Sequence, residues 1–521
     1  MSSAKTRLQK LKHAFSSPKA FHEAILLKSS SSMLINEDLL PSPTSRQTWN
    51  TLSFFAYWWS ESWNVSTWSI GASLITVGAS VMVLNGYASS RFHIGYPVLS
   101  RSSFGIYGHY FVVVLRSILG IIWGGVQLYF EGQFISICLR YNGWVFLAFL
   151  WTIPFLLIHT SRIQHLFTVK SVVLPFAGLG IVIWATKSNG GVGSAALDIQ
   201  AQASRTSTAV FAWGIVAQFN AVMGSNSALL VTIPDIARYS KTRNAQIWGQ
   251  LIALPLGQTL CAAFGIISTA AVLNMYGEAY WNPYDLLNGI LNHGHTSSAR
   301  AGVFFASASF AFATLGTSIA CNFIPFAADV TCLLPRYLNI VRGQILCLIV
   351  AFAIVPWRIV SSANGFLSFL NGYSIFQGPV VAIMLVDYFV SRKGNLSISD
   401  LFTTSSSGIY YYFHGFNLRA FAAFIIGFIL PLPGFIGTFG TVTVSTAASN
   451  MYSLGWELSF VIGGVAYLVL GLVWPVPGDG ASHGFETSPV SDGNVDDLTV
   501  LDATCNTNEA KEAEQVKSGE V

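Results

Sequence analysis

A bundle of membrane-spanning α-helices is the fold this sequence predicts, and three observations carry the expectation. Only 10% of its 521 residues are charged while 52% are hydrophobic, against roughly 25% charged in a soluble domain. The apolar residues gather in many separate runs of about 20, each able to cross the roughly 30 Å of bilayer hydrocarbon. Within those runs hydrophobicity is continuous, whereas the strands of a membrane barrel would alternate. A soluble enzyme, a single-span receptor and a barrel are therefore excluded.

Residues 1–48 read as a polar, Ser-rich cytoplasmic tail, mostly disordered. Lys5, Arg7, Lys10, Lys12 and Lys19 are followed by no hydrophobic core, as a cleavable signal would require, and Pro41 and Pro43 break any helix before the membrane begins. Residues 49–477 form the transmembrane domain. Spans are expected at 52–84, 110–139, 144–160, 166–187, 208–233, 246–273, 302–323, 338–356, 362–390, 417–440 and 456–476. Residues 478–521 are an acidic cytoplasmic tail in which Lys511 and Lys517 stand among carboxylates. The six cysteines occur singly, with no CxxC pair and no metal-ligand spacing, and read as packing residues.

Loop charges orient the bundle. Arg91 with Arg101, Arg162 with Lys170, Arg238 with Lys241 and Arg243, Arg336 with Arg342, and Arg392 with Lys393 make five basic loops, which the positive-inside rule puts in the cytoplasm with the N-terminus. That arrangement demands two spans before Arg91. Thr51 to Tyr87 is only 37 residues, and two spans need about 40 before any turn is counted. The second helix is thus shortened or missing, with the seam at Ser80–Val81.

Four apolar stretches carry polar groups that a lipid-facing helix would not. In GIIWGGVQLYFEGQ, from Gly120 to Gln133, Trp123, Gln127 and Glu131 share one helix face, thinned by Gly120 and Gly124. Such a face turns inward, either as part of a ligand or ion pathway or as packing between helices. The segments ESWNVSTWSIG from Glu61 and QFNAVMGSNS from Gln218 are both polar in mid-membrane. Paired interruptions of this kind point to a transporter built from inverted repeats, whose unwound backbone meets substrate and ion, or else are two tolerated helix defects. In ATLGTSIACNF, Thr317, Ser318 and Asn322 gather on one side, able to hold an amide-bearing ring or to tie two helices together.

Taken together these motifs resemble the nucleobase-cation-symport family one, and within it the fungal uracil and allantoin permease branch. NEDLLPSP from Asn36, HIGYPVLSRSSFGIYG from His93, WxxxQ at Trp123, IPDIARY from Ile233, TSIACN from Thr317, LLPRYLNIVRGQ from Leu333, VDYFVSRKG from Val386, RAFAAF from Arg419 and LPLPGF from Leu430 follow family order over residues 36–477. The resemblance implies ten helices in two inverted five-helix repeats, plus two C-terminal helices, with a midplane site between the first, third, sixth and eighth. It also implies roles: Trp123 stacks on a planar substrate, while Gln127 and Asn322 hydrogen-bond its amide edges. The chemistry suits these residue types, since an indole face fits a flat ring and primary amides both donate and accept.

Some positions depart from the family pattern. Where relatives set a second tryptophan opposite the first, this chain aligns Asn226 beside Ser225, which makes that wall more polar. Where bacterial relatives bind sodium through two adjacent hydroxyls, this chain has Gly316 and Thr317, which favours a proton as the coupling ion. Glu61 or Glu131 is the expected carrier, because a carboxyl held in hydrocarbon favours its neutral form and can be filled and emptied near neutral pH. No other cofactor is expected.

The expected function is therefore a plasma-membrane proton symporter for uracil, allantoin or a related purine or pyrimidine derivative. The alternatives are a sensor that binds without transport, an inactive truncated permease, a channel, or a membrane enzyme, although HExxH, paired cysteine ligands and a GxSxG elbow with its partners are absent. By the same resemblance, Lys511 and Lys517 would accept ubiquitin from endocytic machinery; the alternative is a merely solvated tail.

Overall fold

The computed structural model describes residues 26–27, 34–70, 76–139, 144–156, 163–192, 207–294, 296–354, 363–440 and 442–475. Helices dominate, and among the described residues seven are long and apolar enough to cross a membrane. In chain order they are α1 (Thr51–Ser62), α2 (Val65–Ile70), α3 (Thr76–Phe92), α4 (Tyr96–Phe104), α5 (His109–Leu139), α6 (Trp144–Leu156), α7 (Gln164–Asn189) and α8 (Thr208–Ala237). There follow α9 (Leu254–Tyr276), entered through a π-helical turn at Gly249–Ala253, α10 (Pro283–His293), and α11 (Ser297–Ser318), which passes through a π-helical turn at Ile319–Phe323 into α12 (Ile324–Leu333). The last are α13 (Ile340–Ala353), α14 (Ala363–Leu385), α15 (Leu418–Ile429), α16 (Leu432–Gly437), α17 (Thr446–Ser453) and α18 (Gly455–Val473). Side-chain caps start several of them: Asn50 accepts from the Ser53 N–H at 2.9 Å, and Asn339 accepts from that of Arg342 at 2.9 Å. Phe176, Phe305 and Leu472 keep 70%, 69% and 78% of their surface exposed, which suits a hydrocarbon surround and not water.

The first expected span divides. Residues 52–84 are not one helix but α1, α2 and the start of α3, and the chain runs as unbroken helix through Ser80–Val81. The break at Trp63–Asn64 has a local cause. The Asn64 side chain donates to the Glu61 carbonyl at 2.6 Å and accepts from the Thr67 N–H at 2.9 Å, closing one helix and opening the next. The stretch that leads to Arg91 is α3, at 17 residues, and it packs along α8.

The other expected interruption is absent, for α8 is helical from end to end. Its polar residues return their groups to the helix: Ser225 donates to the Val222 carbonyl at 2.8 Å, Asn226 to the same carbonyl at 2.9 Å and Ser227 to that of Gly224 at 2.9 Å. Three satisfied side chains make unwinding unnecessary.

Two clusters of buried apolar residues fill the bundle. One lies at the end that carries the basic loops and includes Trp49, Phe54, Ile94, Tyr96 and Tyr388. The other lies at the far end and includes Trp68, Phe130, Phe134, Tyr284 and Phe310. Residues 34–48, expected within a disordered tail, instead cross the basic-loop end. Asn36 donates to the Pro335 carbonyl at 2.7 Å, the Ser42 N–H to His93 at 2.8 Å and the Trp49 N–H to Tyr239 at 3.0 Å. The expected lysines of the acidic tail lie outside the described residues.

Candidate functional site

Between the two clusters lies a small cavity, of about 50 Å³. Seven of the eight residues expected to bind or couple line it: Trp123 and Gln127 from α5, Ser225 and Asn226 from α8, Glu61 from α1, Thr317 from α11, and Asn322 from the π-helical turn that follows. Glycines bring the elements together. A methyl group on Gly124 would approach the Phe323 ring to 3.0 Å, and one on Gly120 the Phe326 Cβ to 3.2 Å, so the third and eighth membrane helices touch because these positions are bare.

On the α5 wall the indole is fixed. Trp123 Nε1 donates to the Tyr373 hydroxyl of α14 at 3.1 Å, and Tyr373 in turn donates to the Gly224 carbonyl of α8. Gln127, one turn along, is buried, and its Oε1 has no hydrogen-bond partner among the described residues. A buried acceptor left unmade costs about 1–3 kcal/mol.

The opposite wall differs. Asn226 gives its N–H groups to the Val222 carbonyl and, at 3.1 Å, to Ser225 Oγ, while its Oδ1 accepts from Gln258 Nε2 of α9 at 2.9 Å. Asn226 is thus an amide that its neighbours already occupy.

A buried ion pair closes the cavity towards α7. Lys170 Nζ donates to Glu61 Oε1 at 2.6 Å and to Thr317 Oγ1 at 2.5 Å, and Cys321 Sγ donates to Glu61 Oε2 at 3.1 Å. Lys170 is therefore not a loop charge, as its nearness to Arg162 in sequence implies, but lies within α7 with no exposed surface. Gly316 makes room for it, since a methyl group there would sit 3.2 Å from Lys170 Cδ and 2.9 Å from Leu166 Cδ2. The aliphatic stem of the lysine passes the position where a second hydroxyl is missing.

Glu131 is the exception among the expected residues. It is fully buried between α5 and α6, where Oε2 accepts from Thr152 Oγ1 at 3.4 Å and Oε1 has no partner among the described residues, and it does not line the cavity. Sequence reasoning missed Lys170, Gln258, Asn64 and Tyr373. Gln258 had a signal, an amide inside an apolar run, whereas Lys170 follows Arg162 so closely that it reads as a loop charge. Among the described residues no cluster of His, Cys, Asp and Glu could hold a metal ion.

Residues 41–459 match the model of a family described as permeases for cytosine/purines, uracil, thiamine and allantoin. An allantoin permease from Saccharomyces cerevisiae is 34% identical over 493 residues, covering 86% of this chain and 77% of its own. A uracil permease from the same yeast is 31% identical over 494 residues, with 86% and 77% covered. Among solved structures, the nucleobase-cation-symport-1 family transporter Mhp1, closed with bromovinylhydantoin bound, superposes with a TM-score of 0.63 at 20% identity, covering 85% of this chain and 97% of that one. Its inward-facing form gives 0.60, with 90% and 98% covered. The likeness shows the expected fold, two inverted five-helix repeats followed by two more helices.

Proposed function

Because the chain belongs to the family of permeases for cytosine/purines, uracil, thiamine and allantoin, and is a transporter and not an enzyme, we propose that it imports uracil, allantoin or a related purine or pyrimidine derivative across the plasma membrane together with a proton. The observation that carries this reading is the buried, unpartnered Gln127 Oε1, one turn from the Trp123 indole and facing the same cavity as Asn322. A planar ring stacked on Trp123 would offer its N–H groups to Gln127 and take hydrogen bonds from the Asn322 amide, with Ser225 and Asn226 on the other side. Substrates lacking those groups would leave the buried amides unmade and be rejected.

Lys170 supports a proton as the coupling ion. Its ammonium supplies, between Glu61 and Thr317, the positive charge that sodium would bring. Glu61 takes part as the counter-charge. Glu131, buried apart from the cavity, is a second proton carrier to be tested beside it. The basic loops support both termini on the cytoplasmic side. Lipid forms the surround, and the ubiquitin-accepting role of Lys511 and Lys517 stands as a proposal from the tail's composition.

Purified protein in proteoliposomes, given labelled uracil or allantoin, tests the reading. Saturable accumulation driven by an inward proton gradient and indifferent to sodium is expected. Unsaturable flux would make the protein a channel, and binding without flux a sensor.

A further inference from the structure

The cavity's two walls use their amides differently, and the difference lies at Gln258. Its Nε2 donates to Asn226 Oδ1 at 2.9 Å, and its own Oε1 accepts a longer hydrogen bond, 3.5 Å, from Asn226 Nδ2. Asn226 also gives its N–H groups to Val222 and Ser225 on its own helix. Gln258, which lines the cavity, has one more N–H and one more lone pair than this pairing uses, while Asn226 serves as the strut that holds it.

The helix that bears Gln258 is firmly placed. A methyl group on the preceding Gly257 would collide with Ser62 Cβ at 2.6 Å, and Ser62 Oγ lies 3.1 Å from the Leu254 carbonyl. Close contact between α9 and the end of α1 therefore fixes Gln258 at the level of the Trp63–Asn64 break. A side chain so held, 3% exposed, keeps its geometry before a ligand arrives.

We propose that Gln258 is a specificity-determining residue, which selects heterocycles carrying hydrogen-bonding groups on two edges over rings whose second edge is apolar. This rests on the cavity being the substrate site. A ring engaged by Gln127 and Asn322 turns its far edge to the Gln258 wall. If that edge carries an adjacent N–H and C=O, as in a ureide or a purine dione, it pairs with the glutamine at two points. If it carries only C–H groups, as the C5–C6 edge of uracil does, the glutamine loses water and gains nothing.

The test is equilibrium binding of labelled allantoin and labelled uracil to the purified full-length chain, in the wild type and in Gln258→Met, Gln258→Glu and Trp123→Ala variants. Gln258→Met is expected to weaken allantoin by about tenfold or more and uracil by less than about threefold, moving the ratio between them by the worth of one buried polar contact. Gln258→Glu, which keeps the volume but turns the donor into an acceptor, should move the ratio in the same direction. Trp123→Ala should weaken both ligands together. Equal weakening of both ligands by the two Gln258 variants, or no change in either, would overturn the proposal. Unchanged binding of both in Trp123→Ala would instead overturn the site itself, and the proposal with it.

Discussion

The two ends of the bundle are held by different physics. At the basic-loop end, buried charges link separate helices. Arg116 of α5 binds Asp235 of α8 at 2.6 Å and both oxygens of Asp329 of α12, and its guanidinium lies 4.1 Å from the centre of the Tyr96 ring. Arg238 reaches from beyond α8 to Ser42 at 2.7 Å and to the Asp38 carbonyl at 2.8 Å, tying down the N-terminal segment. At the far end rings meet rings: Phe134 stacks on Phe310 at 5.1 Å, Trp68 stands edge-on to Phe310 at 5.7 Å, and Phe130 lies 5.9 Å from Tyr284. A hydrogen bond from Ser69 to Asn282, 3.0 Å long, joins α2 to the start of α10 there.

Charged contacts are made or broken in discrete geometries, whereas ring contacts can slide and reform. The basic-loop end is therefore the switch-like half of the molecule and the far end the compliant half. In an alternating-access protein this means the two gates need not open by mirror-image events.

The largest break in that comparison should come from Arg116. Arg116→Met leaves Asp235 and Asp329 buried without a counter-charge and should cost about 3–5 kcal/mol, seen as a fall in the unfolding temperature of the purified protein. Adding Asp235→Leu and Asp329→Leu to the same variant should recover much of the loss, since an apolar replacement of the whole cluster leaves no stranded charge.

Next in size is Lys170. Lys170→Met should flatten the dependence of initial uptake rate on external pH, and Glu61→Gln should do the same, because each removes one side of the pair. Glu131→Gln separates the second carrier: unchanged pH dependence in that variant assigns coupling to the Lys170 pair alone.

At the far end Phe310→Leu should lower stability by only about 1–2 kcal/mol, the ring-pair energy with a small packing defect, because neighbouring rings close over it. A loss matching that of Arg116→Met would erase the distinction between the ends.

A smaller effect concerns pH. Burial pushes the His93 imidazole below its ordinary value, against the pull of the Arg238 carbonyl that it bonds. The unfolded chain then binds more protons than the folded one as pH falls through the ordinary histidine value, so this contribution is present above that value and lost below it. His93 sits at φ 56°, a conformation asparagine tolerates, so His93→Asn should remove part of the acid sensitivity of the unfolding temperature without straining the loop.

The smallest effect belongs to Arg46, whose pair with Glu37 at 2.6 Å is largely exposed. Arg46→Ala should change stability by less than about 1 kcal/mol, in contrast with the buried pairs a few residues away in space.

Much of this could be read from the sequence, and the failures share a cause. Trp123, Gln127 and Asn322 were legible because i, i+4 spacing on an apolar helix shows which groups turn inward. Lys170 was not, because one lysine shortly after Arg162 looks like the end of a span, and only the three-dimensional position of Glu61 reveals that its charge is matched. The break at Asn64 and the continuity at Asn226 have nearly the same polar composition. What separates them is whether each side chain caps a new helix or bonds back into its own, and composition does not encode that choice. Gln258 stood alone among apolar neighbours, and its meaning came from the strut on another helix.

Gly316 has a consequence for how such a protein could change. Its bare backbone leaves room for the lysine stem, with Cδ only 3.2 Å from where a methyl group would stand. A lineage that adds a serine there while keeping Lys170 meets a clash, and one that first replaces Lys170 with a small residue strands Glu61 beside a hole. Each single step is worse than either end point, so the two positions form an epistatic lock.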